Sequence, residues 1–277
     1  MGKEIDYFEQ VEGFPDNKYL SSYNLKILFH YFVYFPTLIS KGKYQFFKKV
    51  FHHILQALSH TSEKEIEECF RKCLMNNEFH NTSSLTFLQN RLVYPMMLYY
   101  AVRISKPSVV IETGIHSGRS SSFILQALYD NGGGKLYSLD LGHDVTYSSE
   151  SGIQVHDLPE GIDMGWLVPE HLKQNWEIIL GDSKIELPKL LKELGQIDFF
   201  CHDGEHTDSN MMFEYELAME HLHQSGILMS DDVLFSQHGP KKGYLHKVPH
   251  YSSWLNFTKD KNNSHIIDYK VGYFQIR

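Results

Sequence analysis

After Pro107 the sequence alternates, five times over, between a short apolar run ending in an acid and an amphipathic stretch. The runs are "SVVIETG", "KLYSLDL", "WEIILGD", "IDFFCHDG" and "GILMSDD", and the stretches between them include "SSSFILQALYDNGG" and "NMMFEYELAMEHLHQSG". Short runs rich in β-branched and aromatic residues predict strands, and three-four spacing of apolar residues predicts helices. Strands separated by whole helices need crossover connections, which make them parallel and bury both faces of the sheet. The expected fold is therefore α/β: a Rossmann-like, doubly wound, mostly parallel sheet. The tail "SHIIDYKVGYFQIR" reads differently, as two strands with a turn near Lys270 to Gly272, an antiparallel hairpin on the edge of that sheet.

Upstream of Pro107 the pattern is helical from about residue 20 to 105. "YQFFKKVFHHILQALSH" has the three-four spacing, and "SEKEIEECFRKCL" opens with Ser62 three residues before Glu65, a capping box. Residues 1–105 are thus expected to be an N-terminal helical region, a cap over the pocket or a dimerisation element, and residues 106–277 the α/β domain. The apolar stretch "ILFHYFVYFPTLI" is too short to span a bilayer and carries His30 and Pro36, so a buried helix ended by Pro36 is expected. "LFSQHGPKKGYLHKVPHYSSWLNF", rich in His, Gly, Pro and aromatics, reads as a loop or lid. Its His238, Tyr244, His246, His250, Tyr251 and Trp254 are candidates to close over a sugar or aromatic ring, or are loop packing.

With 26 basic and 34 acidic residues the formal net charge is −8, and no basic stripe offers itself to a phosphate backbone. Nucleic acid is not an expected partner. Cys69, Cys73 and Cys201 have no metal-site spacing, which fits a reducing, cytoplasmic setting. The start "MGKEIDYFEQ" has no apolar signal core, so the sequons at Asn81, Asn256 and Asn262 are read as chance. No membrane span is expected, and a homo-oligomer is left open.

In an open parallel sheet, ligands gather where strands end and helices begin. Here those places are "ETG", "LDL", "GDS", "HDGEH" and "SDD", each with an acid. The first lacks the Gly-x-Gly-x-x-Gly of a dinucleotide site, because Glu112 stands where the first glycine belongs, and no Gly-Lys-Ser/Thr of a phosphate loop follows. Glu112-x-Gly114-x-x-x-Gly118 suits a ligand with hydroxyls and a positive charge: the glycines let backbone approach closely while the carboxylate accepts hydrogen bonds. Tight helix–strand packing would need the same glycines. S-adenosylmethionine has both features.

Glu112-x-Gly114 after a strand, with Asp140 ending the next one, resembles the first two motifs of class I S-adenosylmethionine-dependent methyltransferases over residues 105 to 277. The resemblance implies that Gly114, His116 and Ser120 line the methionine end of the cofactor. It implies further that Asp140 grips the ribose hydroxyls and that Asp182 and Ser183 lie beside the adenine, although Asp182 also reads as a helix cap.

"HDGEH" and "SDD" bring a second group of acids, Asp203, Glu205, Asp231 and Asp232, to two successive strand ends. Crowded carboxylates repel unless a proton or a cation intervenes, and hard divalent ions prefer such oxygens. The group is similar to that of metal-dependent small-molecule O-methyltransferases of the macrolide-sugar and catechol type. This implies a magnesium ion on Asp203, Asp231 and Asp232, with Asp203 also at the cofactor. Asp203-Gly204-Glu205-His206 matches the Asp-Gly-Asp/Glu-His of one subgroup, whereas the lysine base of the catechol type has no counterpart. His206, with an ordinary pKa near ~6.5, and Glu205 are the candidate bases. The expected function is methyl transfer from S-adenosylmethionine to a hydroxyl of a small molecule, of sugar or natural-product type, assisted by Mg2+. The alternatives are a binding-only protein of that fold or a cephalosporin-hydroxylase-like relative.

Overall fold

The computed structural model describes residues 48, 51–52, 55–56, 58–76, 86–142, 146–149, 152–155, 158, 162–233, 250–267 and 271–276. The apolar stretch 27–39, the sequon at Asn81, and His238, Tyr244 and His246 lie outside the described residues.

Helices α1 (Glu63–Asn76) and α2 (Thr86–Ser105) precede the sheet. The capping box is formed: the Ser62 hydroxyl accepts from the Glu65 amide at 3.4 Å, and the Glu65 carboxylate accepts from the Ser62 amide at 3.1 Å. The alternating elements follow as β1 (Val109–Thr113), α3 (Arg119–Asp130), β2 (Lys135–Asp140), β5 (Trp176–Leu180), α4 (Ser183–Leu194), β6 (Ile197–His202), α5 (Asp208–His221) and β7 (Leu222–Ser230). A short hairpin of β3 (Thr146–Ser149) and β4 (Gly152–Val155) and a 3-10 turn (Glu170–Asn175) lie between β2 and β5. Helix α6 (His250–Thr258), β8 (Ser264–Ile267) and β9 (Val271–Gln275) complete the order.

The main sheet has seven strands in the order β5-β2-β1-β6-β7-β9-β8. The first five are parallel, and β9 pairs antiparallel to both β7 and β8. This is the Rossmann-like, mostly parallel arrangement, with the expected hairpin on one edge.

Side chains along a strand point alternately to opposite faces, and here both faces are covered. Val110, Phe199, Cys201, Ile227, Met229 and Tyr273 face one core, into which α1, α2 and α3 send Ile66, Phe70, Leu98, Phe123 and Leu128. Their neighbours Ile111, Phe200, Leu228 and Phe274 face the other, built with Leu187 and Leu191 of α4, Tyr215 of α5 and Trp254 of α6. Two-sided burial is why the strand sequences are nearly continuous apolar runs. Helices α1 and α2 are thus a packed layer on the sheet, sharing a core with residues beyond 106. Among the described residues no helix is long and apolar enough to cross a membrane.

The structure departs from the sequence reading in three places. The β3–β4 hairpin was not anticipated: its strands are four residues each, and they pair only with one another. Strand β7 begins at Leu222 rather than near Gly226, because Leu222 pairs with Ile197 before the register shifts and Ile227 takes Phe199. The segment read as a loop or lid contains α6, whose Trp254 and Phe257 are 1% and 4% exposed. Aromatic residues packed into the second core, not a cover over ligand, account for them.

Candidate active site

Backbone hydrogen bonds continue one step past the strands and align their carboxyl ends. Gly181 donates to Asp140 at 2.9 Å, Gly114 to Leu139 at 2.8 Å, Asp203 to Thr113 at 2.9 Å and Asp231 to His202 at 2.9 Å. All five acid-bearing strand ends therefore meet along one edge.

In the first loop Gly114 has φ +89, and a Cβ built there falls 2.1 Å from the Asp203 carbonyl oxygen. Gly118, in the left-handed N-cap of α3, would put a Cβ 2.8 Å from the Gly165 Cα. Both glycines are thus required by backbone of the chain itself coming close. Gly165 and Leu167 donate to the His116 and Ser117 carbonyls, at 2.9 and 3.0 Å, and hold the loop in place.

Asp140 ties this loop to β2. One carboxylate oxygen accepts from the amides of Ile115 (2.7 Å) and His116 (3.1 Å), the other from Gly142 (3.0 Å). That fills three of the roughly four acceptor positions of a carboxylate, leaving about one for a ligand hydroxyl. At the tip of β5, Asp182 is exposed and caps α4, accepting from Lys184 at 2.8 Å, with Ser183 beside it as the first helical residue.

Glu112 is fully buried beneath α3, where it accepts from Ser121 (2.6 Å) and Ser138 (2.7 Å); Trp176 in turn donates to Ser138 at 2.9 Å. Ser120 is also buried. Ser121 thus serves the interior. Burial pushes the Glu112 carboxyl up to about 6, against the pull of the serine hydroxyls. A carboxyl raised on folding holds its proton more tightly in the native state, so its stabilising contribution is complete below the ordinary value of 4.5 and is lost as pH rises through about 6. The rise corresponds to roughly 2 kcal/mol. Between pH 5 and 7.5 the wild-type protein is expected to lose roughly 1 kcal/mol of this relative to Glu112→Gln, read from urea midpoints; parallel curves for the two proteins would refute this.

On the acceptor side, Asp203, Glu205 and His206 are half-buried, and His206 Nε2 lies 4.0 Å from Asp203 Oδ1. Asp231 is buried, and Asp232 has a left-handed backbone with φ 48. This oxygen-only, acidic donor set has the chemistry a divalent ion prefers. Among the described residues, however, no three His, Cys, Asp or Glu side chains converge in an arrangement that would hold one. The three carboxylates as placed do not fit a metal site.

Sequence reading missed a buried polar group behind this edge. Glu214 of α5 accepts from Thr113 Oγ1 (2.6 Å), is paired with His202 Nδ1 (2.7 Å), and accepts from Asn210 Nδ2 (2.9 Å). Burial opposes its charge, but the facing His202 ring and the Thr113 hydroxyl prevail and hold the carboxyl below the usual range. One signal for it was present: Glu214 shares the helix face of Met211, Tyr215 and Ala218, where an acid is out of place. His202 itself, 0% exposed, is an interior residue.

Residues 111–233 match a family model described as a methyltransferase domain. This stretch is a methyltransferase domain. The sheet order of the chain is that of a Rossmann-like fold with an antiparallel edge hairpin. No curated protein matches the sequence. Among solved structures, the chain is similar to an O-methyltransferase from Bacillus cereus in complex with SAH (14% identity, 83% of this chain and 97% of that one, TM-score 0.48). It is also similar to the O-methyltransferase TomG from Streptomyces achromogenes, involved in tomaymycin synthesis and in complex with SAM (13% identity, 76% and 90%, TM-score 0.45). A Podospora anserina methyltransferase bound to SAH is a third (14% identity, 78% and 87%, TM-score 0.43).

Proposed function

We propose that the methyltransferase domain moves the methyl group of S-adenosylmethionine to a hydroxyl of a small molecule, of sugar or natural-product type. The observation that carries this reading is the juxtaposition of the Gly114–Gly118 loop and Asp140 with the Asp203–His206 loop along one edge, at the Gly114–Asp203 contact. Methyl transfer is an in-line displacement: the acceptor oxygen bonds to the methyl carbon as the carbon–sulfur bond breaks, its electrons returning to sulfur, and the hydroxyl proton goes to a base.

In this reading the loop from Gly114 through His116 and Ser120 borders the methionine end, Asp140 offers its remaining acceptor position to a ribose hydroxyl, and Asp182 and Ser183 flank the adenine. His206 takes the proton, and Asp203 at 4.0 Å supports the imidazolium that results. Glu205 is the competing base. No step is assigned to magnesium on Asp203, Asp231 and Asp232, since no three side chains among the described residues are placed to hold an ion.

Calorimetry with S-adenosylmethionine in the presence of EDTA tests the proposal: binding is expected, and its absence with and without added magnesium would end it. Asp140→Ala should weaken binding at least tenfold, since it removes a ribose acceptor and frees three loop amides together. Affinity within twofold of wild type would remove Asp140 from the cofactor site.

A further inference from the structure

We infer that Glu214 is a positioning residue that couples the loop after β1 to the loop after β6, so that cofactor bound at the first sets the geometry of the second. The inference rests on the methyl-transfer reading and names the part of the chain that joins its two halves.

One carboxylate holds both loops by the residue at their root. Thr113, which donates to it at 2.6 Å, directly precedes Gly114; His202, paired with it at 2.7 Å, directly precedes Asp203. Thr113 and His202 are register partners in the β1–β6 pair, so both side chains stand on the α5 face of the sheet at the same level. The other carboxylate oxygen accepts from Asn210 Nδ2, which also reaches the Glu205 carbonyl at 3.4 Å, and Thr207 caps α5 by accepting from the Asn210 amide at 3.3 Å. The span from residue 202 to 210 is thereby tied at both ends to Glu214. The contact passes on to the candidate base, because the His202 and His206 rings meet edge to face with centroids 5.1 Å apart.

The four tied residues are buried, Thr113 at 2%, His202 at 0%, Asn210 at 2% and Glu214 at 0% exposure. Among the described residues His202 Nε2 has no hydrogen-bond partner, so the ring's polar anchor is on the Nδ1 side. A carboxylate on an otherwise apolar helix face is a poor stabiliser, since a leucine of similar volume would pack there without the cost of burying charge. What the carboxylate supplies and a leucine lacks is direction. It fixes two loops to one rigid helix through short, charge-assisted bonds.

The test is amide hydrogen exchange followed by mass spectrometry, with and without S-adenosylhomocysteine, on wild type, Glu214→Gln and Thr113→Val. In the wild type the ligand is expected to slow exchange at 113–118 and also at 203–207. Glu214→Gln replaces one acceptor oxygen by a donor amide, and Thr113→Val cuts the tie to the first loop alone. In each, protection at 113–118 should persist while the ligand-dependent slowing at 203–207 falls to less than a third of wild type. If either folded variant keeps both protections, the inference is wrong; Thr113→Val decides it should Glu214→Gln fail to fold. Wild-type protein whose ligand protects only 113–118 overturns the coupling and leaves the methyltransferase reading standing, whereas wild-type protein that binds no ligand overturns both.

Discussion

Gly114→Ala is expected to cost about 3 kcal/mol or more of stability and to remove measurable binding of S-adenosylhomocysteine. Two effects add. At φ +89 an alanine pays roughly 1–2 kcal/mol of backbone strain. Its Cβ would also lie 2.1 Å from the Asp203 carbonyl oxygen and 2.6 Å from the carbonyl carbon. Those atoms are backbone at the end of a central strand, and no rotamer change moves them aside. Relief must come from parting the loops after β1 and β6, which is the juxtaposition the site depends on. Gly132→Ala is the control, because φ is +84 there but a Cβ meets nothing within 4 Å. It should lose only about 1 kcal/mol and bind ligand as wild type does. Calorimetry and urea denaturation on both variants check this, and a Gly114→Ala protein with wild-type affinity would remove the Gly114–Asp203 contact from the site.

Trp254→Ala should lose about 3–5 kcal/mol, the range for truncating a large aromatic in a core. The indole meets Tyr215 edge to face at 5.7 Å and Phe257 at 5.9 Å, and Phe257 continues to Phe274 on β9. Gly272 lets it lie against the sheet, since a Cβ there would come within 2.7 Å of the ring. A residue that closed over substrate would show the reverse pattern, altered ligand handling at unchanged stability. Urea midpoints together with S-adenosylhomocysteine affinity well below the melting temperature distinguish the two. Stability within 1 kcal/mol of wild type would restore the lid.

Much of the sheet was legible because each of its central strands is a continuous apolar run ending in an acid, the signature of burial on both faces with polar loops beyond. The edge where the acids gather was legible for the same reason. Three things were not. Glycines at 114 and 118 announced a close approach without saying to what, and the partners, Asp203 and Gly165, lie far along the chain. A composition rich in His, Gly, Pro and aromatics left a cover over ligand and packing both open, and only the tertiary structure makes its end, α6, part of the core. The role of Glu214 was hidden because its meaning depends on two strand ends that only the fold brings to one helix.

The placement of β9 between β7 and β8 has a consequence for how the molecule is assembled. Strand β8 is synthesised first, but its only route to the sheet runs through a strand made after it, so on an emerging chain it has nowhere to dock. The native pairing of the β7 edge and of β8 alike therefore waits on residues 271–275.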